Sequence, residues 1–510
     1  MEGFFLNCIL ITLRMDKKYI LSIDAGTTSS RAIIFNKNAD VIEIAQYEFS
    51  QIFPKEGWVE HDAIEIWNTQ LKAIKDVIIN SKIDPNEIDS IGITNQRETT
   101  IIWDKETGKP VYNAIVWQDR RTASFCDELI KKNKSSLIQQ RTGLVIDAYF
   151  SGTKIKWILD NNQKLRKKAN DNKLLFGTVD TWLIWNLTNG KSHITDPSNA
   201  SRTLLYNIKD DNWDKDLLEL FDVPDNILPK VVDSSSVSTK LDKDILGVEI
   251  PISGIAGDQQ AALFGQLCLN EGDIKNTYGT GCFCMMNTGN NFVMSKNRML
   301  STIAWRINGD ITYALEGSVF VAGALIQWLR DKLGIIKSSP EVEELAKTVN
   351  DNGGLTFVPA LSGLAAPYWD PYVQGTIFGI TRGTENGHIA RAALESIALR
   401  TRDIVVEMEK DAGIKFQDLK VDGGASNNNL LMQIQANFLN TNVVRPKTTE
   451  TTALGAAFLA GLATGFWHNI SDLKKLLVED MTFKPDTSFD TKVIIELWQN
   501  RINRLLKVNE

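Results

Sequence analysis

The sequence predicts an α/β fold built from two related halves. Short β-rich segments alternate with helical segments along the 510-residue chain, which is typical of this class. A pair of β-rich segments joined by a turn of glycine and threonine occurs near residue 25. The same arrangement returns near residue 280, in the second half of the chain. The repetition indicates two α/β domains that face one cleft and meet near residue 265.

Length and composition are those of an ordinary globular protein. At about 150 residues per domain, 510 residues correspond to two or three domains. The 43% apolar and 23% charged residues exclude wholesale disorder and a coiled coil. Lysine and arginine number 56 against 63 aspartates and glutamates, a net charge of −7, which argues against nucleic acid as a partner. The sequence has no run of 18 apolar residues, so we expect no membrane insertion.

The first fourteen residues are largely apolar, and their pattern favours an upstream extension, with Met15 as the natural start, over a signal peptide. Glu2 stands where such a peptide has a basic region, and no small-residue cleavage site follows. Met15 begins a polar segment that leads directly into the first predicted strand. We expect residues 1–14 to be an extension, disordered or read from a non-native start. The five scattered cysteines suit a reducing compartment, so we expect a cytoplasmic protein.

The first half begins with a predicted β-hairpin whose turn, residues 24–30, is rich in hydroxyl groups. Asp62 can then cap a helix that runs to about Ile79. The polar segment Asn95–Glu98 lies between two strand-like runs. The β-rich segments of this half are predicted at residues 19–23, 31–35, 41–47, 88–94 and 99–103.

The second half repeats a strand, a turn of glycine and threonine, and a strand. Gly272–Asn276 leads through Thr277–Gly281 into the β-rich segment Cys282–Met286. One residue separates the two cysteines of that segment, where zinc knuckles have two to four, so strand packing explains them better. Farther along, Ala453–His468 has several alanines and glycines and is predicted to be a buried helix.

The common nucleotide and hydrolase signatures are absent, including the P-loop, a complete G-x-G-x-x-G and the protein-kinase set. What remains are turns of aspartate, glycine and threonine at Asp24–Thr28, Gly279–Gly281 and Asp422–Gly424. Glycine lets the backbone approach a phosphate, whose oxygens accept from N–H groups and hydroxyls. An aspartate beside such a turn can hold Mg²⁺. One copy would favour an ordinary hairpin, whereas three favour phosphate binding.

Two further polar positions allow both a structural and a functional interpretation. An isolated pair such as Arg97 and Glu98 is usually a surface salt bridge. Its apolar flanks, however, favour a polar pocket that could bind a polyol's hydroxyls. Asp258 precedes an apolar helix, so its position alone favours a helix N-cap. It could also accept the proton of an alcohol that is being phosphorylated. Trp117 and Phe283 are by default core aromatics, although either could cover a small substrate.

These motifs together resemble the FGGY family of carbohydrate kinases, and within it the members that phosphorylate glycerol. The resemblance extends from about Lys17 to Trp467, with nearly every motif in order. The segments that carry it are Asp24–Arg31, Gly92–Thr99, Tyr149–Trp157, Gly257–Gln260, Asn276–Phe283, Tyr313–Ser318, Gly375–Glu395 and Val421–Ala425.

The resemblance implies two domains of the actin/hexokinase-like, ribonuclease H-like ATPase fold with an interdomain cleft. Residues 15–265 would form the N-terminal domain and 266–510 the C-terminal, nucleotide-binding domain. The implied reaction converts ATP and glycerol to ADP and sn-glycerol 3-phosphate, the first step of glycerol catabolism, and uses Mg²⁺. The partners would be glycerol and ATP or ADP, and the enzyme a homodimer or homotetramer.

The resemblance also implies a role for each matching residue. Asp258 would be the general base, and Asp24 would lie near the metal. Glycerol would be bound by Arg97, Glu98, Tyr149, Asp258 and Gln259, with Trp117 and Phe283 on its carbon backbone. The phosphates would be held by Thr27, Thr28, Ser29 and Arg31, and the nucleotide by Thr280, Gly323, Gln327, Gly424 and Asn428.

Three positions depart from the family pattern. Ala25 replaces a glutamine and Ala148 a proline, and both changes leave the polar candidates intact. Glu249 stands where members inhibited by fructose 1,6-bisphosphate resemble Gly-Gly-x-Arg. Because its carboxylate would repel that ligand's phosphates, we predict that millimolar fructose 1,6-bisphosphate leaves the activity unchanged.

Two other functions stay open at this point. A kinase for a longer polyol or a ketose would use the same motifs, although Arg97 and Glu98 together with Tyr149 favour glycerol. An ATP-driven binding protein of the Hsp70 kind would share the ATPase fold but would need a peptide-binding domain, for which the residues after about 470 are too few.

Overall fold

The computed structural model of this protein describes residues 17–370, 372–486, 488 and 490–507. The predicted extension at residues 1–14 lies outside them. Strands and helices alternate through the described residues, which confirms the predicted α/β class. In these ranges, no helix is both long enough and apolar enough to cross a membrane.

The strands range from two to ten residues. Those of the first half are β1 (Tyr19–Ala25), β2 (Ser29–Asn36), β3 (Val41–Glu48), β4 (Glu60–His61), β5 (Ile88–Asn95), β6 (Ile101–Asp104), β7 (Ala114–Ile115), β8 (Leu174–Gly177), β9 (Ile194–Thr195), β10 (Tyr206–Asn207), β11 (Asn212–Trp213), β12 (Lys230–Val231), β13 (Ser235–Lys240) and β14 (Pro251–Gly257). Those of the second half are β15 (Ile274–Tyr278), β16 (Cys282–Gly289), β17 (Leu300–Ile307), β18 (Asp310–Val319), β19 (Thr356–Val358), β20 (Thr376–Phe378), β21 (Asp418–Asp422), β22 (Asn442–Pro446) and β23 (Glu479–Phe483).

Thirteen of these strands form one sheet, in the order β23-β22-β21-β15-β16-β18-β17-β13-β14-β5-β1-β2-β3. Each half of the sheet contains an antiparallel set, β1-β2-β3 or β15-β16-β18-β17. On its other side, the first strand of each set pairs with a parallel strand, β1 with β5 and β15 with β21. The two halves join at β13 and β17 through the single pair Ser235 and Ile307. The two predicted hairpins are therefore equivalent elements of two similar half-sheets.

The helices pack on both halves and connect the strands. They are α1 (Ala63–Ser81), α2 (Ala123–Lys131), α3 (Ser135–Thr142), α4 (Ser151–Asp160), α5 (Gln163–Asn170), α6 (Val179–Leu187), α7 (Pro197–Ala200), α8 (Lys215–Phe221), α9 (Lys243–Leu246), α10 (Asp258–Gly265), α11 (Gly323–Asp331), α12 (Glu341–Ala346), α13 (Asn386–Ala412), α14 (Asn429–Leu439), α15 (Thr451–Thr464), α16 (Ile470–Lys474) and α17 (Lys492–Lys507).

The predicted buried helix is α15, which lies against α10 and the strands of the first half. Its small residues allow this approach: a Cβ on Gly92 of β5 would lie 2.2 Å from the carbonyl oxygen of Ala456. Ser22 of β1 donates to the carbonyl of Ala453 at 2.7 Å. The helix ends at Thr464, earlier than predicted, because Gly465 adopts φ 79° as its C-cap. A helix from the end of the chain thus fastens the second half to the first.

Most other predicted elements are present, with small shifts at their ends. Asp62 caps α1 as predicted, its side chain accepting from the backbone N–H of Ile64 at 2.8 Å. The strand predicted from Thr99 begins instead at Ile101. Cys282 and Cys284 are buried, free thiols on β16, as strand packing predicts.

Candidate functional site

The polar candidates of the first half meet at the carboxyl ends of two neighbouring strands. β5 and β14 run parallel and pair Asn95 with Gly257 in register. Arg97, two residues after β5, and Asp258, the residue after β14, therefore lie side by side. A Cβ on Gly257 would lie 2.6 Å from the Cδ of Arg97, so glycine is required there for the arginine to cross the strand end. Ligands of open α/β sheets bind at this edge.

Arg97 is the centre of the site. Its Nε lies 3.3 Å from Asp258 Oδ1, and its Nη2 donates to Tyr149 Oη at 3.3 Å. Its strongest partner is Glu316 of β18, which accepts from Nη1 at 2.5 Å and from Nη2 at 2.9 Å. Burial opposes the charge on Arg97, but Glu316 and Glu98 outweigh it, so the pKa of Arg97 rises well above its ordinary value.

The interpretation of Arg97 and Glu98 as an isolated surface salt bridge is wrong. Both are 2% exposed, and the closest approach between their charged groups is 3.5 Å. Glu98 instead accepts from Nε of Arg202 at 2.7 Å, and Arg202 Nη2 donates to Glu316 at 3.0 Å. The two arginines and two glutamates form one buried network, in which each guanidinium lies between carboxylates.

Sequence reasoning assigned no role to Glu316, Arg202, Lys154 or Lys275. All four side chains are essentially buried. Lys154 donates to the carbonyl of Tyr149 at 2.5 Å, and burial lowers its pKa to about 8. In the sequence, Glu316 is a charged residue within an otherwise apolar segment, a pattern that indicates a buried partner of opposite charge. The identity of that partner required the sheet order.

Asp258 is the first residue of α10, and Gly257 occupies the N-cap position, so the N-cap interpretation is wrong. The Asp258 carboxylate accepts from the adjacent N–H of Gln259, at 2.7 Å, and 29% of its side chain is exposed to the cleft. Burial raises the pKa of Asp258 to about 6, with Arg97 opposing the shift and Glu98 adding to it. Asp258 is therefore a carboxylate that can take up a proton near neutral pH.

The three aromatic candidates form one wall of the cleft. Trp117 meets the ring of Tyr149 edge-on at 5.6 Å and that of Phe283 at 6.4 Å between centroids. Burial raises the pKa of Tyr149, so its hydroxyl stays protonated. Trp117 Nε1 also donates to Thr27 Oγ1 at 3.0 Å. This wall thus connects the Arg97 network to the first hairpin turn.

The first hairpin turn presents hydroxyls beside a charged pair. Gly26 N–H donates to the carbonyl of Ser29 at 2.9 Å and closes the turn, leaving Thr28 exposed. Arg31 bonds to Asp24 and donates to Glu450 at 2.8 Å. The turn therefore offers hydroxyls to an anion, and a guanidinium held between two carboxylates lies beside it.

The candidates of the second half line a cavity of about 400 Å³ between the 279–281 turn, α11, α12 and the start of α14. They are Thr280, Gly323, Gln327, Gly424 and Asn428. Gly279 and Thr280 of the turn line one side of this cavity, and Phe283, on the strand that follows the turn, belongs to the aromatic wall. One hairpin therefore borders both the cavity and the cleft.

No group of three or more histidine, cysteine, aspartate or glutamate side chains in the described ranges could cage a metal ion. A Mg²⁺ ion bound together with phosphates needs only one or two carboxylates, since water and phosphate oxygens complete its shell. Asp24, 3% exposed at the end of β1 beside the hydroxyl-rich turn, fits this arrangement.

Two family models match the chain: the N-terminal domain of the FGGY family of carbohydrate kinases over residues 19–265, and its C-terminal domain over residues 274–464. The chain belongs to the FGGY family of carbohydrate kinases. The family resemblance seen in the motifs is thereby confirmed. The division at residue 265 itself stays a prediction.

Among relatives in the FGGY family, glycerol kinase 2 of Thermotoga maritima is 58% identical over 96% of this chain and 99% of that protein. The glycerol kinase of Oleidesulfovibrio alaskensis is 56% identical over 96% of this chain and 98% of its own. The crystal structure of Plasmodium falciparum glycerol kinase with ADP is 37% identical with a TM-score of 0.90, and the match covers 96% of this chain and 99% of that one. These matches confirm the predicted two-domain FGGY kinase fold.

Proposed function

We propose that this FGGY kinase transfers the γ-phosphoryl group of ATP to glycerol, giving ADP and sn-glycerol 3-phosphate. The observation that carries the proposal is the convergence of Asp258 and Tyr149 on the guanidinium of Arg97, each at 3.3 Å. A proton acceptor, hydroxyl-binding groups and an aromatic wall then surround a space suited to a short polyol. The identity with proteins named glycerol kinase supports the same substrate.

In the proposed mechanism the first-half residues bind and activate glycerol. Arg97, Glu98, Tyr149 and Gln259 hold its hydroxyls, while Trp117 and Phe283 pack on its carbon atoms. Asp258 orients the hydroxyl that is to be phosphorylated and accepts its proton as the new P–O bond forms. A closed cleft excludes water, which would otherwise compete as the acceptor.

The remaining candidates would hold the nucleotide. The adenine nucleoside would occupy the 400 Å³ cavity, and the phosphates would reach the hydroxyl-rich turn at Thr27, Thr28 and Ser29. Arg31 would place a positive charge beside them. Mg²⁺, held near Asp24 chiefly through water, would neutralise part of the phosphate charge. Arg31 and Mg²⁺ would thus neutralise the phosphate charge of ATP, so binding ATP needs no basic surface.

We infer three further properties. Residues 15–265 and 266–510 form the two domains that close over the substrates. The enzyme acts in the cytoplasm, at the first step of glycerol catabolism. It assembles as a homodimer or homotetramer.

The test is ADP release from Mg-ATP by the purified protein with glycerol, xylulose or ribulose as the acceptor. We expect glycerol to stimulate ADP release strongly and the ketoses weakly, because the groups that surround Arg97 suit a short polyol better than a longer sugar. Release without acceptor gives the background rate. Stimulation by a ketose but not by glycerol would favour a kinase for a longer sugar and contradict the proposal.

Filling the nucleotide cavity should affect ATP alone. A Cβ on Gly424 would have no atom within 4 Å, and the residue does not adopt the left-handed conformation that requires glycine. We therefore expect Gly424→Leu to fold normally and to raise the KM for ATP roughly tenfold or more, because the nucleotide must displace the side chain. Steady-state kinetics with each substrate varied in turn measures both KM values.

Gly424→Ala is the matched control, since its methyl group leaves most of the cavity free. Its KM for ATP should stay near that of the parent protein. An unchanged KM for ATP in the leucine variant would place the nucleotide elsewhere.

A further inference from the structure

Lys275 is a buried cation in the cleft to which the mechanism above assigns no part. It lies on β15 with its side chain fully buried. Its Nζ donates to Gln259 Oε1 at 2.6 Å and to Thr277 Oγ1 at 2.8 Å. Within the described ranges it forms no ion pair within 4.0 Å. A buried ammonium without a close carboxylate is costly, which indicates that its position serves a function.

The contact with Gln259 determines which end of the carboxamide is available to a ligand. An ammonium group can only donate hydrogen bonds, so the atom that faces Lys275 must be the amide oxygen. The amide nitrogen, Nε2, then remains available to donate a hydrogen bond to a ligand. No described residue accepts a hydrogen bond from it, although Gln259 is only 8% exposed. A donor without a described protein partner, on a largely buried side chain beside the carboxylate of Asp258, indicates that a ligand supplies the acceptor.

We propose that Lys275 is a positioning residue for the polyol: it holds Gln259 so that Nε2 donates to a hydroxyl oxygen of glycerol. This inference rests on the proposed function, because it takes glycerol as the ligand of the cleft. The nearby carboxylates of Asp258, Asp422 and Glu316 favour the charged lysine, although burial lowers its pKa overall. Without the lysine, the Gln259 carboxamide could rotate and turn its oxygen toward glycerol. A glycerol hydroxyl would then have to donate to Gln259 instead of accepting from it.

The first test compares glycerol binding by Lys275→Met, Gln259→Met and the double variant. Methionine keeps the length of each side chain and removes its polar end. Isothermal titration with glycerol alone needs no turnover, and kinetics then gives both KM values. We expect each single variant to raise the Kd and the KM for glycerol roughly tenfold, the effect of one lost buried hydrogen bond. The KM for ATP should change less than about twofold.

The double variant separates positioning from a direct or merely structural role. If Lys275 acts through Gln259, the double variant should bind glycerol about as well as either single variant. Lys420→Met is the matched control, since Lys420 pairs with Lys275 in register on the adjacent strand and donates to the carbonyl of Gln266 at 2.8 Å. We expect its Kd for glycerol to equal that of the parent protein.

Gln259→Glu tests the same idea with Lys275 intact, which matters if Lys275→Met fails to fold. The carboxylate keeps the bond to Lys275 but has no N–H to offer, so glycerol binding should weaken as in Gln259→Met. Parent-like binding by Gln259→Glu, or single-variant effects that multiply in the double variant, would overturn the positioning role. Failure of the parent protein to bind or phosphorylate glycerol would instead contradict the proposed function.

Discussion

Replacing Asp258 with asparagine is expected to lower kcat with glycerol roughly 100-fold or more. The amide has nearly the same shape as the carboxylate but cannot accept the proton of the attacking hydroxyl. The KM for ATP should change little, because the nucleotide candidates line a separate cavity. Steady-state kinetics over both substrates, together with single-turnover measurements of ADP formation, would establish that the chemical step is slowed.

The pH dependence should change in the same variant. Burial raises the pKa of Asp258 to about 6, and the base must be deprotonated to act. In the parent protein, kcat/KM for glycerol should therefore fall as the pH drops below about 6, and this acidic limb should be absent in Asp258→Asn.

Asp62→Asn is the control for that experiment. Asp62 is an exposed residue that caps α1, and asparagine caps a helix equally well. Its kcat and pH profile should match those of the parent protein. Near-normal turnover by Asp258→Asn would remove Asp258 from the mechanism.

Replacing Glu316 with glutamine is expected to destabilise the fold and to impair glycerol binding. Burial alone would raise the pKa of Glu316, but Arg202 and Arg97 lower it to about 2, so the group is fully charged. Glutamine leaves the two arginines without the carboxylate that they share. Loss of one member of a buried charge network costs roughly 3–5 kcal/mol. Urea unfolding followed by tryptophan fluorescence measures this loss, and calorimetry measures the Kd for glycerol.

Glu249→Gln is the control, because it removes a carboxylate from an exposed pair. Lys240 lies 3.4 Å from Glu249, and both side chains are about 60% exposed, so the change should cost less than about 1 kcal/mol. Equal unfolding curves for the two variants would show that the buried network contributes no more than a surface pair.

Residue patterns alone were enough to predict the α/β class, both hairpins, the capped helix after Asp62 and the buried helix near Ala453. Each of these depends on neighbours along the chain: residue alternation in strands, a side chain that reaches its own helix start, or a run of small residues. The resemblance to the family motifs also identified individual candidate residues for the site. The structure places Glu98, Tyr149 and Asp258 around Arg97, the phosphate candidates at the first hairpin turn, and the nucleotide candidates around one cavity.

The pairing of charged and polar groups could not be predicted in this way. Arg97 and Glu316 are 219 positions apart, and they meet because β5 and β18 belong to halves of the fold that face one cleft. Lys275 and Gln259 likewise come together from separate elements. Asp258 resembled a helix cap in the sequence, because its position before α10 indicates nothing about burial beside Arg97. Local chemistry predicts an element, whereas the charge state and partners of a buried side chain depend on how distant elements pack.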